Sequence, residues 1–289
     1  MAGATVGQGY NVTNQSNPAR SVVDDGAGAW VATFTRGSRT VTIAGPARVF
    51  AESSAAATVT SRVWVRLLPE PFDGNIDWHW LEAARTDPSP DVLETAMQYV
   101  AGTPPQLDNT GLQYAGDAAY GAIGADGTLQ TGADFNDYLG LTWHYPTSID
   151  SPEPEEFLSL DCSGFVRMVF GYRFGVPLGR SVNGTSLPRT SHDMSVGAPG
   201  TVVVPNRGTQ ITKFGTLMPG DLVFFDATTS DGTQIDHVGI YLGLDSARGY
   251  RFISSRKSSD GPTLGDYRGA SLLNGTGLYA KSFRAVRRL

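Results

Sequence analysis

Apolar and β-branched runs suggest strands from Ala29 to about Arg66. Trp30-Val31-Ala32-Thr33-Phe34 and Thr40-Val41-Thr42-Ile43 flank a turn at Arg36-Gly37-Ser38. Residues 58–65, Thr-Val-Thr-Ser-Arg-Val-Trp-Val, repeat on a period of two, the spacing of a strand with one buried face. A small antiparallel β unit is expected, closed by Leu68-Pro69-Glu70-Pro71, since two prolines so near each other cannot continue a ladder. The period then changes. Ser89-Pro90-Asp91 offers a side-chain cap, a proline for the first helical position and an acid for the first turn. Val92, Leu93, Ala96, Met97 and Val100 recur at helical spacing until Gly102 and Pro104 stop them.

Residues 103–160 are rich in Gly, Asp, Asn and Pro and show little periodicity. A connection that long in a compact domain is functional or carries short elements of its own, and Phe135, Tyr138, Leu141, Trp143 and Tyr145 mark it as packed onto something. Next, Phe165, Val166, Val169 and Phe170 set an apolar stripe on a helix starting near Cys162. After a second Gly/Pro-rich stretch, 175–219, three strand-like runs follow: 221–225, 237–242 and 251–255. Asp231-Gly232 and Ala247-Arg248-Gly249 provide the turns between them. A helix followed by an antiparallel meander is an α+β pattern. The expected division is a β-rich region, 1–85, possibly a small accessory domain, then a domain at 86–289 interrupted by an insertion at about 103–160. Arg284, Arg287 and Arg288 near the C-terminus read as a solvated basic patch.

Composition narrows the chemistry. With 289 residues, 22 Lys+Arg and 28 Asp+Glu, the formal charge is −6, which disfavours a nucleic-acid binder, since that needs a basic stripe. No apolar stretch approaches the ~20 residues of a membrane helix. Residues 1–18 lack the basic and apolar segments of a secretory signal. The one cysteine excludes an internal disulfide and a multi-thiolate metal site. The four histidines show no ligand spacing, so no metal or cofactor is expected.

That cysteine, in Asp161-Cys162-Ser163-Gly164, stands directly before the apolar helical stripe. A thiol at a helix N-terminus feels unpaired N–H groups that lower its pKa, although a buried structural cysteine is the plainer alternative. Gly164 would let another chain segment approach the backbone closely. A cysteine nucleophile needs a base. His79, His144 and His192 sit among aromatics or in loops, whereas His237 opens a strand, where the ring is held beside a core.

A cysteine on a helix, a histidine on a strand and a polar residue on the next strand resemble the NlpC/P60 family of papain-like cysteine peptidases. The matching segments are Asp161-Cys162-Ser163-Gly164-Phe165-Val166, Gly220-Asp221-Leu222-Val223-Phe224-Phe225 and His237-Val238-Gly239-Ile240-Tyr241-Leu242-Gly243. The resemblance implies a papain-like core, helices packed on an antiparallel sheet, with Cys162 as nucleophile, His237 as base and Ser254 as the third residue. It implies hydrolysis of amide bonds in bacterial peptidoglycan stem peptides, commonly between γ-D-glutamate and a diamino acid. Asp161 and Ser163 are then candidates for binding the substrate's amine, with Asp161 equally a helix cap. Two positions depart from the family pattern. Ser254 stands where a histidine, asparagine or glutamine is usual, so Asp226, Asp236 and an acid from the long insertion are substitutes to consider. Gly102-Thr103-Pro104-Pro105 carries proline where an aromatic is usual, so Tyr114, Tyr120 and Tyr145 are candidates for the ring, and the insertion is expected to wall the cleft. A papain-like acyl or amide transferase on another substrate, and an inert binding or assembly module of a phage tail or envelope complex, are the alternatives. The implied location is secreted or in the envelope, or else phage- or particle-associated; the oligomeric state is left open.

Overall fold

Five strands, Tyr10–Gln15, Arg20–Asp25, Trp30–Thr35, Thr40–Phe50 and Val59–Leu67, pair antiparallel in chain order to form an N-terminal sheet. The computed structural model describes residues 9–228 and 230–289, so the first eight residues of the polar N-terminal stretch lie outside the described residues. Three of these strands are the expected ones; the first two lack an apolar signature, and Tyr10–Gln15 is largely exposed. Val31, Phe34, Val41 and Ile43 bury against Phe72 and Leu81, the latter from a helix at Trp78–Thr86 that the sequence reading did not include. Phe50, Val59 and Val65 instead join the main core beside Val92 and Leu93. We propose a boundary near residue 85, at the end of the helix Trp78–Thr86; packing runs across it.

The helix Val92–Met97 is capped by Asp91, not by Ser89. One Asp91 oxygen accepts from Glu94 N–H (2.9 Å) and the other from Val65 N–H (2.6 Å). A carboxylate can thus cap a helix and hold a strand at once, which a single hydroxyl does not.

A six-stranded sheet, antiparallel throughout, runs in the order Thr201–Val204, Phe283–Arg288, Leu222–Phe225, His237–Leu244, Tyr250–Arg256, Gly261–Thr263. Val238, Ile240 and Leu242 bury one face against Phe165, Val166 and Val169, from the helix Cys162–Val166 and its π-helical continuation Arg167–Arg173. The other face carries Phe225, Tyr241, Phe252, Tyr279 and Phe283. The molecule is a mixed helix-and-sheet structure with a β-rich N-terminal region, as expected.

The basic C-terminus is not a solvated patch. Phe283–Arg288 lies between two other strands, and Arg287 and Arg288 are buried. Arg288 makes a bidentate pair with Asp221, Nε to Oδ1 at 2.7 Å and Nη2 to Oδ2 at 2.9 Å, while Arg287 donates to the Ala198 carbonyl at 2.7 Å. Buried guanidinium groups require such partners. Segment 103–160 holds two short hairpins, the helix Phe135–Leu139 and a 3-10 turn at Pro154–Glu156. Its Phe135, Tyr138 and Leu139 belong to the main core.

Candidate active site

Cys162 occupies the first helical position after the cap Asp161, whose Oδ1 accepts from Gly164 N–H at 2.7 Å. The side chain is buried. The helix end was expected to lower the thiol's pKa, but the structure reverses the sign. Burial, and secondarily the Asp161 charge, push it up to about 12, against the N–H groups of Val238 and Ser163 and the Arg189 charge. A helix terminus offers at most ~2 kcal/mol to an anion, less than the cost of removing a thiolate from water.

His237 opens the strand His237–Leu244, and its ring lies between Phe225 and Tyr279, with centroids 5.7 and 5.2 Å away. Burial, with the nearby Arg256 charge, lowers its pKa to about 3, so the imidazole rests neutral. Its Nε2 stands 3.0 Å from Ser254 Oγ on the adjacent strand. Gly239 makes room there: a Cβ at that position would lie 2.8 Å from the Ile253 carbonyl oxygen and 3.1 Å from the Ser254 Cβ. The thiol meets the backbone on either side of His237, with Sγ 3.9 Å from the Asp236 carbonyl and Val238 N–H directed toward it. Among the described residues it makes no hydrogen bond to the imidazole itself.

Asp161 and Ser163 are brought together, but under a cover. Arg189 donates from Nη2 to Asp161 Oδ2 at 2.8 Å and from Nη1 to Ser163 Oγ at 2.7 Å. Its Nε also stands 3.5 Å from Asp134 Oδ2. Arg189 lies in a loop without periodicity, so nothing in the sequence marked it. The close approach at Gly164 comes from within the chain: a Cβ there would sit 2.2 Å from the Ala133 carbonyl oxygen. Asp134 in turn caps Phe135–Leu139 and takes Arg167 Nε on both oxygens, at 2.9 and 3.0 Å. The insertion is thereby clipped against the helix that carries Cys162.

Of the three tyrosines, Tyr120 faces the site; Thr131 of the same insertion lies beside it. Tyr114 packs under Arg173, and the Tyr145 hydroxyl accepts from Arg167. Neither substitute acid reaches the imidazole. Asp236 accepts from the N–H groups of Ala227 and Thr228, and Asp226 pairs with Arg284 at 3.4 Å. These two and Asp231 place one carboxylate oxygen each within 4.8 Å of one another. His79 and His144 are exposed and His192 is half-buried. A cleft of about 440 Å³ opens on His237, lined also by Tyr120, Arg256, Lys257, Arg268 and Tyr279. A larger hollow of about 560 Å³, between Arg39, Glu70, Pro177 and Leu289, contains neither thiol nor imidazole. Among the described residues no helix is long and apolar enough to cross a membrane.

Residues 148–261 match the NlpC/P60 family. No curated protein matches the chain. Among solved structures it is similar to a lipoprotein-like NLP/P60 family protein of Staphylococcus aureus, with 20% identity and a TM-score of 0.31, covering 76% of this chain and 50% of that one. It thus spans half of the staphylococcal protein's length. It is also similar to NlpC1 of Trichomonas vaginalis (14% identity, TM-score 0.33, covering 96% and 88%) and to NlpC2 of the same organism (15%, 0.34, 96% and 92%). None of these superpositions reaches a TM-score of 0.5. The family match spans Asp161, Cys162, His237 and Ser254, so the NlpC/P60 pattern is carried by this segment, residues 148–261.

Proposed function

We propose that the protein is a cysteine peptidase or amidase that hydrolyses amide bonds in peptidoglycan stem peptides, of the γ-D-glutamyl–diamino acid type, on a papain-like core. The match of residues 148–261 to the NlpC/P60 family supports a cell-wall hydrolase. The observation that carries the reading is the meeting of the Cys162 thiol with the backbone around His237, whose far nitrogen is engaged by Ser254 at 3.0 Å. With Nε2–H donating to Ser254, Nδ1 is left as an acceptor for a proton. The reading requires the thiol and this ring nitrogen to come together during the reaction.

In the reaction, Cys162 sulfur bonds to the carbonyl carbon as its proton passes to His237. The oxyanion faces the Cys162 N–H at the helix start. Collapse breaks the C–N bond, His237 returns the proton to the leaving amine, and a thioester remains. Water, deprotonated by His237, releases the acid and restores the thiol. A wall substrate places the protein outside the cell, in the envelope or on a particle.

One observation favours a second reading, an inert binding or assembly module: the thiol is buried and held protonated. Digestion of purified muropeptides, followed by mass spectrometry, separates the two. The hydrolase releases new amine and carboxyl termini that Cys162→Ala abolishes; the module releases none at any pH from 5 to 9.

A further inference from the structure

The cleft beside His237 has an electrostatic character opposite to that of the chain. The protein carries a formal charge of −6, yet Arg256, Lys257 and Arg268 all line this opening, against Asp236 as its carboxylate. Asp236 is satisfied by two backbone N–H groups. Among the described residues, none of the three cations is in an ion pair with a carboxylate.

Arg256 is the informative member. It is 2% exposed, its guanidinium lies over the Tyr279 ring at 5.2 Å, and its Nη groups donate to the carbonyls of Gly269 and Gly265. Its Nε is buried without a partner. A buried cation lacking a counter-charge is costly, and proteins ordinarily pair it. Here the unpaired charge lines an open cleft next to the proposed base, and Lys257 and Arg268 extend it to the rim, where both are exposed. Lys257 Nζ lies 5.9 Å from the Tyr120 ring centre, which places it above the cleft wall.

We propose that Arg256, Lys257 and Arg268 form a carboxylate subsite, so that the protein selects peptides bearing a free carboxylate next to the amide to be cut and discriminates against their amidated forms. This rests on the hydrolase reading for its substrate class, but binding tests it without turnover. The probes are L-Ala-γ-D-Glu-diaminopimelate and the same tripeptide with the glutamyl α-carboxylate amidated. Each is titrated calorimetrically into full-length Cys162→Ala protein. The expected result is at least tenfold tighter binding of the carboxylate form at low salt, a preference that falls to twofold or less when Lys257→Gln and Arg268→Gln are added. Both positions are exposed, so the fold tolerates the changes. Equal affinity for the two probes, an undiminished preference in the double variant, or no binding of either probe overturns the subsite. Failure of the wild type to hydrolyse the carboxylate probe while the preference persists overturns the hydrolase reading and leaves the subsite standing.

Discussion

The Arg189 guanidinium closes on the Asp161 carboxylate at 2.8 Å, one residue before the proposed nucleophile. Asp161 is buried, yet its carboxyl is held below the usual range because Arg189 and the Gly164 N–H outweigh its burial. The pair therefore sets both the helix start and the charge felt by Cys162.

Removing one partner from such a pair leaves a buried charge uncompensated. Arg189→Ala is expected to lower the unfolding free energy by about 3 kcal/mol, measured by urea denaturation. Asp161→Asn in the same background should recover part of that loss. A double variant as unstable as the sum of two independent losses would show that the pair is not coupled.

Stability should fall with acid through His237. Its folded pKa, lowered to about 3, lies below the ordinary 6.5, so between these values the unfolded chain binds a proton that the folded one refuses. The contribution is complete above pH 6.5 and is lost progressively as the pH drops, by about 2 kcal/mol from pH 7 to pH 5. Asp137, raised to about 7 chiefly by burial, acts in the opposite sense. The measurement is therefore the difference in pH slope between wild type and His237→Gln, and identical slopes would contradict a desolvated neutral imidazole.

Alkylation reports the resting thiol. With its pKa pushed up to about 12, Cys162 is protonated at neutral pH. Iodoacetamide should react at pH 7 at least a hundredfold more slowly than with an unfolded cysteine, the rate rising about tenfold per pH unit. Rapid labelling of the folded protein at pH 6, equal to that in denaturant, would place the thiol in a different environment.

Gly164→Ala should destabilise the clip between helix and insertion. The added methyl meets a backbone oxygen at 2.2 Å, and backbone yields less readily than a side chain. A loss of about 2 kcal/mol is expected in a chemical melt, with earlier proteolysis within residues 121–146. A change under 0.5 kcal/mol would mean that the insertion moves freely away.

What could be read along the chain was whatever local spacing encodes. Period-two alternation marked residues 58–65 and 237–242, an apolar and β-branched run marked 30–34, and the Asp-Cys-Ser-Gly entrance marked the helix start, because side-chain direction in a strand or helix repeats with the backbone. Tyr10–Gln15 was missed since its polar residues are largely exposed, and Arg20–Asp25 since one of the two positions it buries, Ser21, is polar, so the alternation does not show as apolar against polar. Phe283–Arg288 was misread because its arginines look solvated until Asp221, 67 positions earlier, is placed beside Arg288.

The order of cysteine, histidine and serine, and the α+β class, follow from the sequence alone. Folding decided the rest: that burial outweighs a helix terminus at Cys162, that Arg189 covers Asp161, that Tyr120 is the ring at the cleft, and that three cations gather beside His237. Each depends on desolvation and on charges far apart in the chain. Neither has a local period, because both are properties of the space the packed chain encloses.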